Sequence, residues 1–230
     1  LDNRRKARYW LWVSMAFNLG MLGYFKYSNF FVESFLDMFR ALGYDIKSTW
    51  TLGVILPVGI SFYTFQTMSY SFDIYYKKLK PTNNFIAFTA FVSFFPQLVA
   101  GPIERASNLL SQITNDRRFK YDQAVGGLKL ILWGLFKKMV IADSIAPIVD
   151  DIFANYTDHS ASTLILGVCL FSFQVYGDFS GYTDIAIGTA KLFGIELMSN
   201  FKFPNFSRNV AEFWQRWHIS LSTWFRHYLY

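Results

Sequence analysis

The sequence predicts an all-α membrane protein with several spanning helices, and its composition is the first reason. Of 230 residues, 53% are hydrophobic, 20% are aromatic and only 17% are charged, and the mean hydropathy is +0.21. These proportions are too apolar for an average soluble domain. The 26 phenylalanines also gather in long blocks instead of alternating with charged residues, which favours a membrane domain.

The distribution of charge is the second reason. The formal net charge is +6, but the basic residues stand mostly at the ends of apolar blocks, as in "NRRKARYWLW" and "YYKKLKPTNN". This placement fits the positive-inside rule better than a patch that follows nucleic-acid phosphates. We therefore expect membrane lipid around the protein and no nucleic-acid partner. No internal repeat or low-complexity linker divides residues 1–230, which predicts a single membrane domain.

Two membrane spans are predicted in the first third of the chain. Residues 9–27 form an apolar block about long enough to cross a bilayer, which needs roughly 20 apolar residues. Residues 28–48 carry charges at helical spacing and predict an amphipathic connection at the outer interface. A second span is predicted over residues 49–76, interrupted at Pro57 and Gly59. Such a break is tolerated in lipid only beside neighbouring protein or a water-filled cavity.

The next stretch, "NNFIAFTAFVSFFPQLVAGPIERASNLLSQI", predicts a re-entrant element. Its apolar helix is too short to cross the bilayer before Pro96, and Gly101 and Pro102 break the segment that follows. An amphipathic helix completes the element. We expect Gln97 to be buried in irregular backbone at membrane depth.

Two longer apolar stretches follow, and both contain ionisable residues. Residues 124–153 include Lys137 and Lys138. An ionisable side chain at the bilayer centre costs roughly 2.5 to 3.5 kcal/mol, so these lysines are expected near an interface or facing a cavity. Residues 161–195 predict a further span, a polar glycine-rich interruption at 177–184, and a second apolar helix.

Several catalytic motifs are absent from the sequence. It contains no HExxH, GxSxG, GxxxxGK[ST], GxGxxG or paired CxxC. The single cysteine, Cys169, excludes an intramolecular disulfide and a multi-cysteine metal site. Asp178 and Asp184 alone do not specify a metal, because no third ligand stands at a useful spacing. We expect no metal and no tightly bound cofactor.

The closing stretch, "EFWQRWHISLSTWFRHYLY", contains the candidate catalytic residue His218. If the stretch is one helix at about 100° per residue, most aromatic residues fall on one face and most polar residues on the other. His218 then lies at the seam, with Trp214 four residues before it and Ser222 four after. A partly desolvated imidazole there can act as a general base on a hydroxyl. The alternative is a surface histidine that only forms hydrogen bonds at the membrane interface, as we expect of His227.

The stretch "QVYGDFSGYTDIAIG" supplies a second set of candidates. Its polar side chains are predicted either to line a cavity that orients a histidine or binds a substrate hydroxyl, or, for Asp178 and Ser180, to cap the following helix. Two arginines of the closing stretch are expected near an interface that meets anionic substrate. The candidate substrate-binding residues are Gln174, Asp178, Ser180, Asp184, Arg216, Ser222 and Arg226.

Two long stretches resemble a known family. "FFPQLVAGPIERASNLLSQI", "QVYGDFSGYTDIAIGTAKLFGIELMSNFKFPNFSRNVAEFWQRWHISLSTWFRHYLY" and the spacing between them resemble the membrane-bound O-acyltransferase (MBOAT) family, in its bacterial branch of alginate O-acetylation and D-alanine transfer proteins. The resemblance runs from about residue 52 to residue 230. His218 matches the first histidine of the family pattern "RWHxSxSxWFRDYxY". The sequence departs from that pattern at His227, where relatives commonly carry Asp.

The resemblance implies a fold and an activity. The fold is a ring of helices around a thin centre, with funnels from both faces that meet near a histidine. The activity is transfer of an acyl group, foremost acetyl, from a cytoplasmic acyl-CoA or acyl-carrier-protein thioester to a hydroxyl of an extracytoplasmic polysaccharide or acyl-relay protein. The expected location is the bacterial inner membrane. His218 would assist the base or position the acceptor.

The resemblance also implies that this chain is an internal piece of a longer protein. We expect it to continue at both ends, and we expect the family's main catalytic histidine beyond Tyr230. Two rival functions stay open. A transporter with broken helices would bind a solute, but it predicts inverted repeats, which the sequence does not contain. A non-catalytic scaffold would recruit a periplasmic acyltransferase.

Overall fold

The computed structural model describes residues 2–44 and 56–230, which fold into helices joined by turns and loops. These residues contain no strand, which confirms the all-α prediction. They form two compact units, Leu1–Thr82 and Asn83–Tyr230. The prediction of a single membrane domain stays a prediction.

The first unit contains α1, Asp2–Ala41, and α2, Ile60–Tyr75. The predicted separation between a span at 9–27 and an amphipathic connection from residue 28 is wrong, because α1 continues through both. Polar side chains spaced four residues apart join the two helices. The hydroxyls of Ser14 and Ser71 lie 2.7 Å apart, and Thr67 donates to Asn18 Oδ1 at 2.5 Å. Such polar pairs hold together helices that are apolar elsewhere.

The interruption predicted in the second span lies where α2 begins. Gly59 immediately precedes α2 and has a φ of 78°, a left-handed conformation that glycine adopts without steric cost. The helix is therefore confined to Ile60–Tyr75. Residues 49–55 of the predicted span lie outside the described residues.

The second unit begins with the predicted helix, break and helix. The structure confirms this order, and it buries Gln97 in a 3₁₀ turn. Its elements are α3 (Phe85–Val92), a 3₁₀ turn (Phe95–Gln97), α4 (Ala106–Thr114), α5 (Tyr121–Leu135), a π-helical segment (Phe136–Ala142), α6 (Asp143–Ala154), α7 (Ala161–Leu192), a 3₁₀ turn (Pro204–Phe206), α8 (Val210–Arg216) and α9 (Ile219–Tyr228).

The longest helix of this unit is α7. Ser160 caps its start by accepting a hydrogen bond from the Thr163 N–H at 3.3 Å. Over the described ranges, α7 is the one helix long and apolar enough to cross a membrane. The predicted interruption at residues 177–184 is wrong, because α7 runs through it without a break.

Gly181 of that stretch and Gly188, seven residues further along, are contact points between α7 and α5. A Cβ at Gly134 would lie 2.5 Å from the Gly181 carbonyl oxygen, and one at Gly127 would lie 2.7 Å from that of Gly188. The partners are seven residues apart on both helices, and their order shows that the helices run antiparallel. Small residues thus let the two backbones touch, as membrane helices commonly do.

Candidate functional site

The predicted single helix of the closing stretch is wrong. Helix α8 ends at Arg216, α9 begins at Ile219, and the two residues between are not helical. Trp217 is extended, and His218 has a φ of 45° and a ψ of 55°, which is the left-handed region. His218 therefore lies at the N-cap of a new helix and not on the seam of a continuous one.

Buried Asn200 satisfies the backbone at this break. Its backbone carbonyl oxygen accepts a hydrogen bond from the Ile219 N–H at 3.0 Å, and its side-chain Oδ1 accepts one from the Ser220 N–H at 3.2 Å. Nearby, the Lys202 N–H donates to the carbonyl of Arg216 at 3.0 Å. The non-helical segment before the 3₁₀ turn at Pro204–Phe206 thus forms hydrogen bonds with backbone groups that the broken helix leaves unpaired.

The imidazole of His218 lies in a partly apolar site. Its ring meets the Phe179 ring of α7 edge-on, with centroids 4.9 Å apart. Its Nδ1 lies 3.4 Å from the Ser220 hydroxyl. Burial lowers the pKa of His218 to about 4, so the ring is neutral at pH 7. The desolvation that the sequence predicted is present, although the backbone produces it differently.

An aromatic cluster encloses the His218 site on one side. The Phe201 ring contacts Phe179 at 5.0 Å and Trp217 at 4.9 Å between centroids. Trp217 also stacks on Phe213 at 5.5 Å. Edge-to-face and stacked pairs of this kind add stability beyond their buried area. The cluster fixes the extended Trp217 and, with it, the direction of the His218 side chain.

The loop before α4 joins the same site. Ser220 Oγ accepts from the buried Ile103 N–H at 3.0 Å. Next to it, Glu104 is only 2% exposed and accepts from the Asn108 amide at 2.7 Å and from the Met198 N–H at 2.5 Å. Burial raises the pKa of the Glu104 carboxyl, against the effect of these hydrogen bonds. The irregular segment between the 3₁₀ turn and α4 is therefore anchored to the residues around His218.

The exposed end of α9 contacts that loop as well. Arg105 Nη2 lies 2.9 Å from Nδ1 of His227, and its guanidinium lies 5.7 Å from the Tyr228 ring centroid. His227 is exposed, and its location at the membrane interface stays a prediction.

A second polar cluster lies between the π-helical segment and α7. Lys137 is 7% exposed, and its Nζ lies 2.6 Å from Asp184 Oδ2 and 3.0 Å from Ser180 Oγ. The same ammonium lies 5.8 Å from the Tyr176 ring centroid. Tyr176 in turn contacts Phe201 at 5.9 Å, which connects this cluster to the aromatic rings around His218.

The other candidates of α7 have separate surroundings. Asp178 lies 2.6 Å from the ammonium of Lys138, which also binds Asp143 at 2.7 Å. Since Asp178 and Ser180 both lie inside α7, the alternative that they cap a helix is wrong. Gln174 Oε1 is buried and has no hydrogen-bond partner among the described residues. Asp178 and Asp184 thus face different lysines.

The remaining candidates make local contacts within the closing stretch. Arg216 lies 2.5 Å from Glu212 Oε1, and Ser222 donates to the Trp214 carbonyl at 3.2 Å. Arg226 is exposed. Hydrogen bonds from Arg208 lower the pKa of Glu212, which keeps it charged beside Arg216. Across residues 2–44 and 56–230, no three His, Cys, Asp or Glu side chains are grouped to hold a metal ion.

Comparison with known proteins gives the family. The model of the membrane-bound O-acyltransferase family matches residues 10–230. The chain belongs to the membrane-bound O-acyltransferase family. It is therefore a membrane protein of that family, as the resemblance implied, and α7 supplies one helix able to span.

Three curated relatives show which MBOAT proteins this chain is similar to. It is 42% identical to the probable alginate O-acetylase AlgI of Azotobacter vinelandii, over 98% of the chain and 44% of the relative. It is 36% identical to a peptidoglycan O-acetyltransferase of Helicobacter pylori, over 97% of the chain and 46% of that relative. It is 30% identical to a teichoic acid D-alanyltransferase of Bacillus subtilis, over 75% of the chain and 44% of that relative. The chain spans less than half the length of these relatives.

Lys137 is the member of the second polar cluster that was not named as a candidate from the sequence. It was predicted only to lie near an interface or face a cavity, while Ser180 and Asp184 were named as candidates. The signal available in the sequence was a lysine in one apolar stretch and an aspartate in the next. Opposite charges in two apolar helices favour pairing, because each is costly alone in lipid.

Proposed function

We propose that the full-length protein containing this chain is an O-acyltransferase of the bacterial inner membrane, with several membrane spans. It moves an acyl group, foremost acetyl, from a cytoplasmic thioester to a hydroxyl of an extracytoplasmic polysaccharide or acyl-relay protein. The observation that carries this proposal is the similarity, over 98% of the chain, to a protein named as an alginate O-acetylase. Relatives named for peptidoglycan O-acetyl transfer and teichoic acid D-alanyl transfer support it.

The proposed reaction is attack of the acceptor hydroxyl on the thioester carbonyl. The hydroxyl oxygen forms the new C–O bond, the C–S bond breaks, and the hydroxyl proton ends on the departing thiol. An acyl-CoA or an acyl-carrier protein is the proposed donor. Holding both substrates in line, away from bulk water, lowers the barrier and protects the reactive ester from hydrolysis.

His218 is proposed to position the acceptor hydroxyl. With a pKa of about 4, its imidazole is neutral and can accept a hydrogen bond, but it is a weak base at pH 7. Proton removal is served best by a group whose pKa lies near the working pH. This low pKa, in a site between the Phe179 ring and the Ser220 hydroxyl, supports acceptor positioning over base assistance, the other role that the resemblance implied.

The polar cluster of α7 is proposed to line the path of a substrate. Ser180 and Asp184 are held by Lys137, and the unpaired Gln174 Oε1 lies on the same helix. Asp178 and Ser222 are proposed to line the same substrate path. Arg216 and Arg226 are proposed to meet an anionic acceptor at the interface.

The test is acyl transfer by the full-length protein reconstituted in vesicles. His218→Gln is expected to lower ester formation on the acceptor, mainly through the KM for that acceptor, while the unfolding midpoint stays near that of the wild type. His227→Gln is the matched control, because it replaces an exposed histidine of the same helix. Transfer that is unchanged in His218→Gln would remove His218 from the site. Separate assays with acyl-CoA and acylated carrier protein decide the donor.

A further inference from the structure

A basic cleft lies where the loop between α4 and α5 meets the end of α7. It has a volume of about 450 Å³ and is lined by four cationic residues, Arg117, Arg118, Lys120 and Lys191. One acid, Asp116, lines it as well. A second depression, of about 540 Å³, shares Arg117, Arg118 and Lys120 and adds Glu196. The positive charge of this cleft exceeds its negative charge, which favours an anionic ligand.

Three of the four cations are available to a ligand. Arg117 donates to the carbonyl oxygens of Gln112 and Ile113 at 2.6 and 3.1 Å, which fixes the loop to the end of α4. Arg118, Lys120 and Lys191 form no ion pair within the described part of the chain. Cationic groups that converge on a cleft and form no ion pair favour the binding of an anion there.

The walls of the cleft are apolar as well as basic. Phe119 lines the cleft beside Lys120 and is 77% exposed. Tyr121, which follows Lys120 in the chain, is exposed as well. Leu192 and Phe193, at the end of α7, complete the apolar wall. Exposed aromatic rings beside lysines and arginines are typical of the membrane–water interface. A soluble phosphate would contact the cations of this cleft but not its apolar side chains. A ligand with both a phosphate and an apolar part would contact both.

The cleft lies at one end of the antiparallel α5–α7 pair. Lys120 and Gln123 stand at the start of α5, and Lys191 and Leu192 at the end of α7. The contact of Gly127 with Gly188 closes the two helices next to this end. The positive-inside rule places such a cationic end in the cytoplasmic leaflet. Basic pockets between membrane helices on that side bind the headgroups of anionic lipids.

We propose that the basic cleft binds the phosphate headgroup of an anionic phospholipid of the cytoplasmic leaflet. Arg118, Lys120 and Lys191 bind the phosphate, and Phe119 and Leu192 contact the first part of the acyl chains. The bound lipid joins the loop before α5 to the end of α7 and so stabilises the helix pair. This site is separate from the His218 site, and its existence does not depend on the acyl-transfer reaction.

The test measures phosphatidylglycerol binding to the delipidated full-length protein by native mass spectrometry. Phosphatidylcholine serves as the lipid without net charge. Because each Lys or Arg near a headgroup contributes a roughly fivefold gain, Arg118→Gln/Lys120→Gln is expected to weaken phosphatidylglycerol binding on the order of 25-fold. Lys129→Gln/Lys202→Gln removes the same charge outside the cleft and is expected to change binding by less than about twofold. Arg118→Lys/Lys120→Arg keeps both charges in the cleft and is expected to retain phosphatidylglycerol binding.

Three results would overturn the proposal. Equal loss in the cleft and control variants would mean that general surface charge attracts the lipid. Equal binding of both lipids by the wild type would mean that the headgroup charge is not recognised. Displacement of phosphatidylglycerol by inorganic phosphate or free coenzyme A at similar concentration would assign the cleft to a soluble phosphate. Unfolding midpoints of all variants in phosphatidylcholine nanodiscs show whether the comparison is between folded proteins.

Discussion

The ammonium of Lys137 lies 2.6 Å from the carboxylate of Asp184, between a π-helical segment and the longest apolar helix of the chain. Ser180 accepts a second hydrogen bond from the same ammonium. A buried charge is costly unless it is paired, and removing one partner leaves the full cost on the other. The pair therefore makes two apolar helices dependent on each other at one point.

Replacing Lys137 alone is expected to destabilise the protein. Lys137→Met leaves the Asp184 carboxyl, which is 21% exposed, without its cation. The expected cost is about 2–3 kcal/mol, below the roughly 3–5 kcal/mol typical of a fully buried pair. The unfolding midpoint in detergent or nanodiscs measures the loss. Lys138→Met is the matched control, because that side chain is 41% exposed and lies against exposed acids, so its loss should cost about 1 kcal/mol or less.

The double variant Lys137→Met/Asp184→Leu separates packing from substrate binding. Apolar residues that replace both charges are expected to recover most of the stability. If the cluster lines a substrate path, acyl transfer stays low in this folded variant. Transfer at the wild-type level would show that the pair is needed for stability alone.

The contact of Gly134 with Gly181 leads to a second prediction. A Cβ at Gly134 would lie 2.5 Å from a carbonyl oxygen and 3.0 Å from the Ile185 nitrogen, and backbone atoms cannot move aside cheaply. Gly134→Ala is expected to lower stability by about 1–3 kcal/mol through overpacking. Gly126→Ala on the same helix meets nothing within 4 Å and should raise stability by about 0.5–1 kcal/mol. Similar midpoints for the two variants would contradict the close approach of α5 and α7.

The glycines of α7 show what the sequence could not decide. Gly177 and Gly181 in a polar stretch predict a broken helix as readily as a close helix contact, because glycine serves both. Gly181 approaches Gly134 of α5, and Gly177 approaches Lys137 and Ala142 of the π-helical segment; both contacts are non-local and decide for close packing. The packing of α7 against the preceding helices also brings Lys137 to Asp184. Ser180 and Asp184 could therefore be named as candidates from the sequence, but their lysine partner could not.

His218 was named as a candidate from the sequence, but its backbone conformation was not predicted. The residue types and their resemblance to a family pattern pointed to His218 without any knowledge of its conformation. The break between α8 and α9 depends on Asn200, which lies eighteen residues earlier and is fully buried. Local helical periodicity carries no information about that hydrogen bond, so tertiary contacts override it here.

Ser220 is predicted to hold the loop before α4 in place. Ser220→Ala leaves the buried Ile103 N–H without its acceptor, which is expected to cost about 1–3 kcal/mol. Ser172→Ala on α7 is the control, because that exposed hydroxyl donates only to the Val168 carbonyl of its own helix. The two unfolding midpoints measure the difference, and equal values would mean that the loop does not depend on Ser220.

The low pKa of His218 predicts how its contribution depends on pH. The folded pKa is about 4, below the ordinary value of 6.5, so between these two values the unfolded chain binds more protons than the folded one. Folding stability therefore rises with pH across this window and is lost as pH falls from about 6.5 towards 4. Because the Gln side chain does not titrate, the wild type is expected to lose stability relative to His218→Gln over the same range, as measured by the two unfolding midpoints.

Activity gives the second measurement for His218. The measured quantity is kcat/KM of the wild type divided by kcat/KM of His218→Gln. The effects of groups that titrate equally in both enzymes cancel in this ratio, so its pH dependence reports on the imidazole of His218. That ratio is expected to stay flat from about pH 8 down to about pH 5, because the ring remains neutral, and to fall only as pH approaches its pKa of about 4. His227→Gln, at an exposed ring, should show a ratio near one throughout. A fall in the His218 ratio centred near pH 6.5 would mean that the ring is solvated, and the desolvated site between Phe179 and Ser220 would then be wrong.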